Sequence, residues 1–437
     1  GYGVDARSKR LAAHSSHVNE RVPALYALRQ DPVNILEVFR RTAETAPGRV
    51  AIYERRTFWG KNRTLTFHDL DMRARQLAAL FQQHELKTGD IVLVFIPMSA
   101  ELYAVLTAAF QLGLTVMFVD PAIGSQQLES CVRLAKPQAF IGTVQAYAFR
   151  LTSPALRGIE KVFVAGPPLP GSISLAAARK LGPYDSIVEC DSETPALITF
   201  TSGSTGMPKG VVRTHGFLLN TQKICAEHLA LEPGSIDLTT MPIFAMLNLA
   251  SGISSVIPDI GRSKMARMRP DLVAAQIETY HPASTVASPE FLTSLAGFCV
   301  KRKMRLNSFR RVIAGGAPVF PRLQSMLAAT FPNAEIVFLY GSTEAEPIAC
   351  ISPQDITAED KVSMLSGKGL LAGRPVPEID LRIIQDRWGS PLGPYTPEQF
   401  DKEALPPGQA GEIVVSGGTV MKGYWRLKAD QQSTIFD

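Results

Sequence analysis

The sequence has 437 residues, 46% of them hydrophobic and 19% charged. That composition excludes wholesale disorder, and at roughly 150 residues per domain the length suits about three structural units. Forty-five Lys and Arg against 40 Asp and Glu leave a net charge of +5, too mild to imply a nucleic-acid partner.

Residues 1–30 are polar and small and read as an N-terminal arm; His14 and His17 within it are too few to form a metal site. Ile35 to Ala46 has helical spacing, and Thr64 to Phe67 is strand-like before a helix that carries Leu70, Ala74, Leu77 and Phe81. The apolar run Ile91–Phe95 reads as a buried strand and Ala100–Leu112 as a helix stopped by Gly113. Strand 115–119, helix 126–134 and strand 139–141 follow. Strands that alternate with helices of this length argue for an α/β fold with mainly parallel sheets. The Pro/Gly-rich stretch 166–172 is a plausible seam, and residues 31–190 form the expected first α/β subdomain.

The second expected subdomain is 191–368, with strands at 196–200, 285–287, 311–314 and 334–339 and a helix at 216–229. From 369 to 437 the texture turns Gly/Pro-rich, with short strands near 379–384 and 411–415, which suits a small β-barrel. The five cysteines (Cys131, Cys190, Cys225, Cys299, Cys350) are odd in number and far apart, which argues for a reducing, cytoplasmic compartment. No apolar run reaches the ~18 residues of a membrane span, and the N-terminus lacks the pattern of a secretory signal.

The chemistry concentrates in Thr199-Phe200-Thr201-Ser202-Gly203-Ser204-Thr205-Gly206-Met207-Pro208-Lys209-Gly210, directly after a strand. Glycines let the backbone approach a ligand, successive N–H groups form an anion-binding nest, and Lys209 adds a mobile positive charge. It is not a Walker loop: Pro208 stands where the second Gly is required, and Gly210 where Ser or Thr is. Two more segments follow strands in the same half of the chain, Gly315-Gly316-Ala317-Pro318 and Tyr340-Gly341-Ser342-Thr343-Glu344.

These three segments in this order resemble the signature of the acyl-activating, adenylate-forming superfamily of acyl-CoA synthetases, luciferases and adenylation domains. The resemblance covers roughly residues 30–437. It implies two α/β subdomains and a small barrel with the site in the cleft where they meet, and ATP and Mg²⁺ as cofactors. Thr201, Ser202, Gly203, Ser204, Thr205, Gly206 and Lys209 would cradle the β- and γ-phosphates. Gly315, Gly316, Ala317 and Pro318 would lie beside adenine, with Tyr340 packed on the ring and Gly341 and Ser342 next to it. Thr343 would contact the α-phosphate and Glu344 would hold Mg²⁺, a role that suits a hard ion with one or two carboxylates.

Two departures narrow the resemblance. Many acyl-CoA synthetases carry Pro-Leu-Phe-His where this sequence reads Pro242-Ile243-Phe244-Ala245. Ala245 in place of His, together with residues 340–347 (Tyr-Gly-Ser-Thr-Glu-Ala-Glu-Pro), is similar to the β-lactone synthetases of olefin biosynthesis. In that subgroup the acyl-AMP of a β-hydroxy acid closes on its own hydroxyl; a neutral variation of the pocket remains the other reading of Ala245. Phe244, Ala245, Met246 and Asn248 are the candidate contacts to a long-chain acyl or β-hydroxyacyl carboxylate, although a run so apolar also fits ordinary core. Asn248 is its polar exception, a candidate partner for a substrate hydroxyl. His215 reads as a structural histidine, and Arg213 as a candidate for steering phosphate.

The family continues past its barrel to a ribose-binding Asp and a mobile C-terminal domain with a catalytic Lys. This sequence ends at Asp437, before that region, so the 437 residues alone are expected to bind nucleotide weakly and to catalyse poorly. The alternatives are a fatty acyl-CoA synthetase or acyl-AMP ligase, and a catalytically silent acyl- or nucleotide-binding protein. Assembly with other enzymes of a pathway is compatible with each catalytic reading.

Overall fold

Several helices begin where the sequence supplies a cap. Asn34 and Glu37 form a capping box at the start of helix Ile35–Thr45, Thr66 and Asp69 do the same for Phe67–Gln83, and Ser99 caps Ala100–Gln111. The structure, a computed structural model, describes residues 32–55, 62–119, 124–202, 208–228, 232–259, 268–387 and 395–426. In chain order the strands are β1 (Val50–Arg55), β2 (Asn62–Thr66), β3 (Ile91–Phe95), β4 (Thr115–Phe118), β5 (Ala139–Thr143), β6 (Lys161–Ala165), β7 (Ile173–Ser174), β8 (Pro195–Ser202) and β9 (Pro208–Thr214). They continue with β10 (Ile236–Thr239), β11 (Ser254–Val256), β12 (Ser284–Ala287), β13 (Arg311–Gly315), β14 (Glu335–Tyr340), β15 (Ala349–Ile351), β16 (Arg374–Pro375), β17 (Ile379–Ile384) and β18 (Glu412–Gly417).

The architecture is α/β with mainly parallel pairing. A seven-stranded sheet runs β7-β6-β5-β3-β4-β8-β9, with only the β8–β9 hairpin antiparallel. A nine-stranded sheet runs β16-β15-β14-β13-β12-β10-β11-β1-β2, parallel from β14 through to β1. Central strands such as Ile91–Phe95 are apolar throughout because helices cover both faces of a parallel sheet. Helix Ala100–Gln111 is buried along almost its whole length, as a helix apolar all round must be.

The strands do not follow the expected seam at 190/191. β8 and β9 complete the first sheet from beyond that position, while β1 and β2 lie in the sheet otherwise built from residues 236–375. The Pro/Gly stretch 166–172 lies between two neighbouring strands of one sheet, so it is a turn and not a seam. From 369 onward, β17 and β18 pair as a two-stranded antiparallel sheet, and among the described residues no barrel closes around them. No helix among the described residues is long and apolar enough to cross a membrane. All five cysteines are free thiols.

His215 opens helix His215–His228, fully buried, with its ring edge-on to Phe110 at 5.4 Å. It is structural, as its sequence context suggests, yet neither ring nitrogen has a hydrogen-bond partner. Burial therefore disfavours the charged form and lowers its pKa from 6.5 to about 4. The folded pKa lies below the unfolded one, so the unfolded chain binds the extra proton between those values. Stability is fully present above pH 6.5 and is lost as pH falls towards 4. Denaturant unfolding at stepped pH should show His215→Phe losing less stability over this window than the parent, by on the order of 3 kcal/mol. Parallel pH profiles would show that His215 is not a buried neutral group.

Candidate active site

Two of the signature segments leave the carboxyl ends of adjacent parallel strands. Gly315 ends β13 and pairs with Leu339 of β14, and the chain then turns through Gly316, at φ +82°, into exposed Ala317 and Pro318. A Cβ on Gly315 would lie 3.2 Å from that of Leu339 and 3.3 Å from its carbonyl oxygen, so glycine lets the strand ends stay close. Tyr340 ends β14, the strand beside the one that Gly315 ends, and is 39% exposed. Ligands of α/β sheets sit beyond strand ends of this kind.

The next residues fold back on themselves. Ser342 N–H donates to Ala345 O at 2.8 Å, and Ser342 Oγ accepts from the N–H groups of Glu344 and Ala345 at 3.2 and 3.3 Å. A Cβ on Gly341 would meet Ala345 O at 3.1 Å. This turn sets Thr343 and Glu344 side by side, both partly exposed.

The third segment comes from the other sheet. Thr201 pairs with Lys209 across the β8–β9 hairpin, and of Thr201 and Ser202 only the backbone is described. Gly203, Ser204, Thr205 and Gly206 lie outside the described residues. Arg213 on β9 joins the hairpin to the turn. Its Nη1 donates to Thr199 Oγ1 at 2.7 Å and its Nη2 to Thr343 O at 3.1 Å. Burial lowers the Arg213 pKa, and the charges of Glu346 and Glu344 oppose that shift.

Tyr424 is a site residue that the motifs did not point to. Its hydroxyl donates to Glu344 Oε1 at 3.2 Å, and Lys209 Nζ stands 5.1 Å from its ring centre. It is held there by a bridge to Val211 and by the neighbouring Trp425 N–H, which donates to Gly210 O at 2.7 Å. Lys209, Glu344 and Thr343 are thus gathered around Tyr424 and Arg213. Glu344 fits a Mg²⁺ ion that arrives on a polyphosphate, since one carboxylate suffices when phosphates and water supply the other ligands. No cluster of three or more His, Cys, Asp or Glu that would cage a metal occurs among the described residues.

Next to this turn opens an apolar cavity with about 880 Å³ of empty space, counting its open mouth. Val286, Ile313, Val337 and Leu339 of the nine-stranded sheet form one wall. Helix 215–228 contributes Phe217 and Ile224, and helix Pro242–Ala250 contributes Ile243, Phe244 and Leu247. Arg213 and Glu346 stand at the side of the signature turn. Burial pushes the Glu346 pKa up, against the pull of Arg213.

Of the four acyl-contact candidates, only Phe244 reaches this wall. Ala245 is fully buried in core, and Met246 lines a separate small cavity with Phe39 and Tyr103. A helix with Ile243, Phe244 and Leu247 on one face turns 245, 246 and 248 away. Asn248 is therefore a correction: its amide donates to Asp237 Oδ2 at 3.0 Å and Thr239 Oγ1 at 3.1 Å. Ser284 and Thr239 complete the set with bonds of 2.6 Å to Asp237, whose pKa burial raises and these donors lower.

The AMP-binding enzyme family matches residues 39–425, and the chain belongs to that family. An olefin beta-lactone synthetase of Stenotrophomonas maltophilia is 30% identical over 366 residues, 83% of this chain and 64% of that protein. One of Xanthomonas campestris is 30% identical over 370 residues, 84% of this chain and 65% of that protein. A 4-coumarate–CoA ligase of Nicotiana tabacum is 24% identical over 381 residues, 84% of this chain and 65% of that protein. The chain thus spans just under two thirds of these relatives' length. The fold is shared with a long-chain-fatty-acid-CoA ligase of Archaeoglobus fulgidus, at a TM-score of 0.75 and 23% identity over 92% of this chain and 78% of that one.

Replacing Asn248 by Leu should destabilise the protein by about 1–3 kcal/mol in denaturant unfolding, because Asp237 keeps its burial and loses a donor. An Asn248→Leu variant of unchanged stability but altered acyl preference would return Asn248 to the substrate.

Proposed function

We propose that this chain is the nucleotide- and acyl-binding part of an enzyme that activates a long-chain β-hydroxy acid with ATP and closes it to a β-lactone. The observation that carries this reading is the apolar cavity ending at the Thr343–Glu346 turn, where a fatty chain's carboxylate meets the signature residues. The resemblance of the sequence to β-lactone synthetases supports the outcome, and the cytoplasm as its location agrees with the free thiols.

In this reading a carboxylate oxygen attacks the α-phosphorus and pyrophosphate departs. No protein nucleophile takes part, so the residues act by positioning and electrostatics. Lys209 and the 201–206 loop hold the β- and γ-phosphates, Tyr340 faces the adenine, and Thr343 orients the α-phosphate. Mg²⁺, when bound, neutralises charge on the phosphates, and Glu344 holds it while the Tyr424 hydroxyl fixes the carboxylate. The substrate's hydroxyl oxygen then bonds to the acyl carbon, the acyl–phosphate bond breaks, and AMP and a proton leave.

Mass spectrometry of the full-length protein with ATP, Mg²⁺ and a long-chain 3-hydroxy acid should give a product one water lighter than the acid, together with AMP and without CoA. A thioester formed only when CoA is added would establish an acyl-CoA synthetase instead. No turnover with any acid would establish a silent binding protein. Glu344→Gln should slow pyrophosphate release on the order of 10²-fold. An unchanged rate would remove Glu344 from the metal.

A further inference from the structure

We infer that Glu346 recognises the hydroxyl at C3 of the acyl substrate by accepting its hydrogen bond inside the cavity. The inference rests on the adenylating reading above and adds the residue that would select a hydroxylated chain.

The cavity wall is apolar apart from a few groups, and among its carboxylates and hydroxyls only Glu346 has a side chain with no partner among the described residues. Arg213 is a donor only, and both its Nη groups are taken by Thr199 and Thr343, with Nε left unpartnered. Thr221 Oγ1 donates to Phe217 O at 2.8 Å, within its own helix. Glu335 pairs with Arg311 at 2.6 Å. The Glu346 carboxylate accepts no hydrogen bond from any described residue, and although it feels the Arg213 charge, the two form no ion pair. Its backbone is held, with its N–H donating to Thr419 O at 3.4 Å and the Gly341 turn packed against it.

Position gives this carboxylate a specific partner. It lies two residues beyond Glu344 and three beyond Thr343, at the end of the cavity where the reacting carboxyl must sit. C3 is two bonds from the carboxyl carbon, so a substituent there is the first polar group that Glu346 meets. An unsubstituted chain would cover the carboxylate with hydrocarbon and leave it unpaired, which is costly, whereas a hydroxyl supplies the missing donor. A site built around such a bond rejects the analogue that lacks it.

The test compares kcat/KM for pyrophosphate release by the full-length protein on four acids of one chain length: 3-hydroxy, 3-methoxy, 3-amino and unsubstituted. The parent should favour the hydroxyl over the methyl ether by roughly 10- to 100-fold. Glu346→Leu should abolish that ratio, and Glu346→Gln, which still accepts through a neutral oxygen, should retain part of it. If Glu346→Leu fails to fold, the Gln variant decides alone: a reduced ratio supports the assignment and an unchanged one overturns it. A parent without preference, or a Leu variant that keeps it, also overturns it. So does a parent that prefers the 3-amino acid, since that would make the partner an ammonium group. Pyrophosphate released with the 3-hydroxy acid but no lactone formed would overturn ring closure, while the ratio still tests Glu346. No pyrophosphate with any acid overturns both readings.

Discussion

Arg213 is almost fully buried, and its guanidinium donates in two directions. One bond stays within its own hairpin at Thr199, and the other crosses to the backbone of Thr343 in the segment after β14. Burying a cation costs several kcal/mol unless hydrogen bonds and opposite charge compensate, and Glu344 and Glu346 supply that charge. The arrangement ties the two sheets together at the place where the chemistry is expected. Without that tie, the hairpin bearing Lys209 would lack its side-chain bond to the turn bearing Glu344. Arg213 entered the sequence reading only as a candidate for steering phosphate, because nothing in a linear pattern shows which backbone carbonyl a guanidinium will find.

The parts legible in the sequence are those in which backbone chemistry dictates residue type. Close strand ends need glycine at 315, a tight turn needs Gly341 and Ser342, and strands buried on both faces need runs such as Ile91–Phe95. These features gave the α/β class and brought the Gly315–Pro318 and Tyr340–Glu344 segments to one place. The helix 242–250 was not legible in the same way. It is apolar on every side, so its periodicity does not say which face meets a cavity. Asn248 looked like an exception in need of a ligand, but its partners Asp237 and Thr239 lie on the neighbouring strand β10. Tyr424 carries no motif at all, and Glu346, though inside the 340–347 segment, drew no role from it; each acquires meaning only from neighbours far away in the chain.

Tyr424 shows how one aromatic residue serves several charges. Its ring face lies under the Lys209 ammonium and its hydroxyl meets the Glu344 carboxylate. A ring face favours a cation, and a phenol donates well to an anion, so the two charges are positioned through one rigid plate. Residues near 424 sit at the edge of the hairpin because Tyr424 bridges to Val211 and the Trp425 N–H donates to Gly210 O there. The expected division of the chain into consecutive subdomains misses this, since the hairpin at 195–214 belongs to the sheet begun near residue 91.

The placement of β1 has a consequence during synthesis. β1 pairs in parallel with β11, Ile52 opposite Ser255, so about 200 residues must be made before its parallel neighbour exists. At about 5–20 residues per second, that interval is roughly 10–40 s on a ribosome. Through it, the β1–β2 ribbon keeps the β1 edge open as well as the β2 edge, and an apolar face that includes Ala51, Ile52 and Leu65. Such a ribbon is a template for pairing with other nascent chains. Strands translated this early are thus completed late, and holding them apart falls to whatever protects emerging polypeptide in the cell.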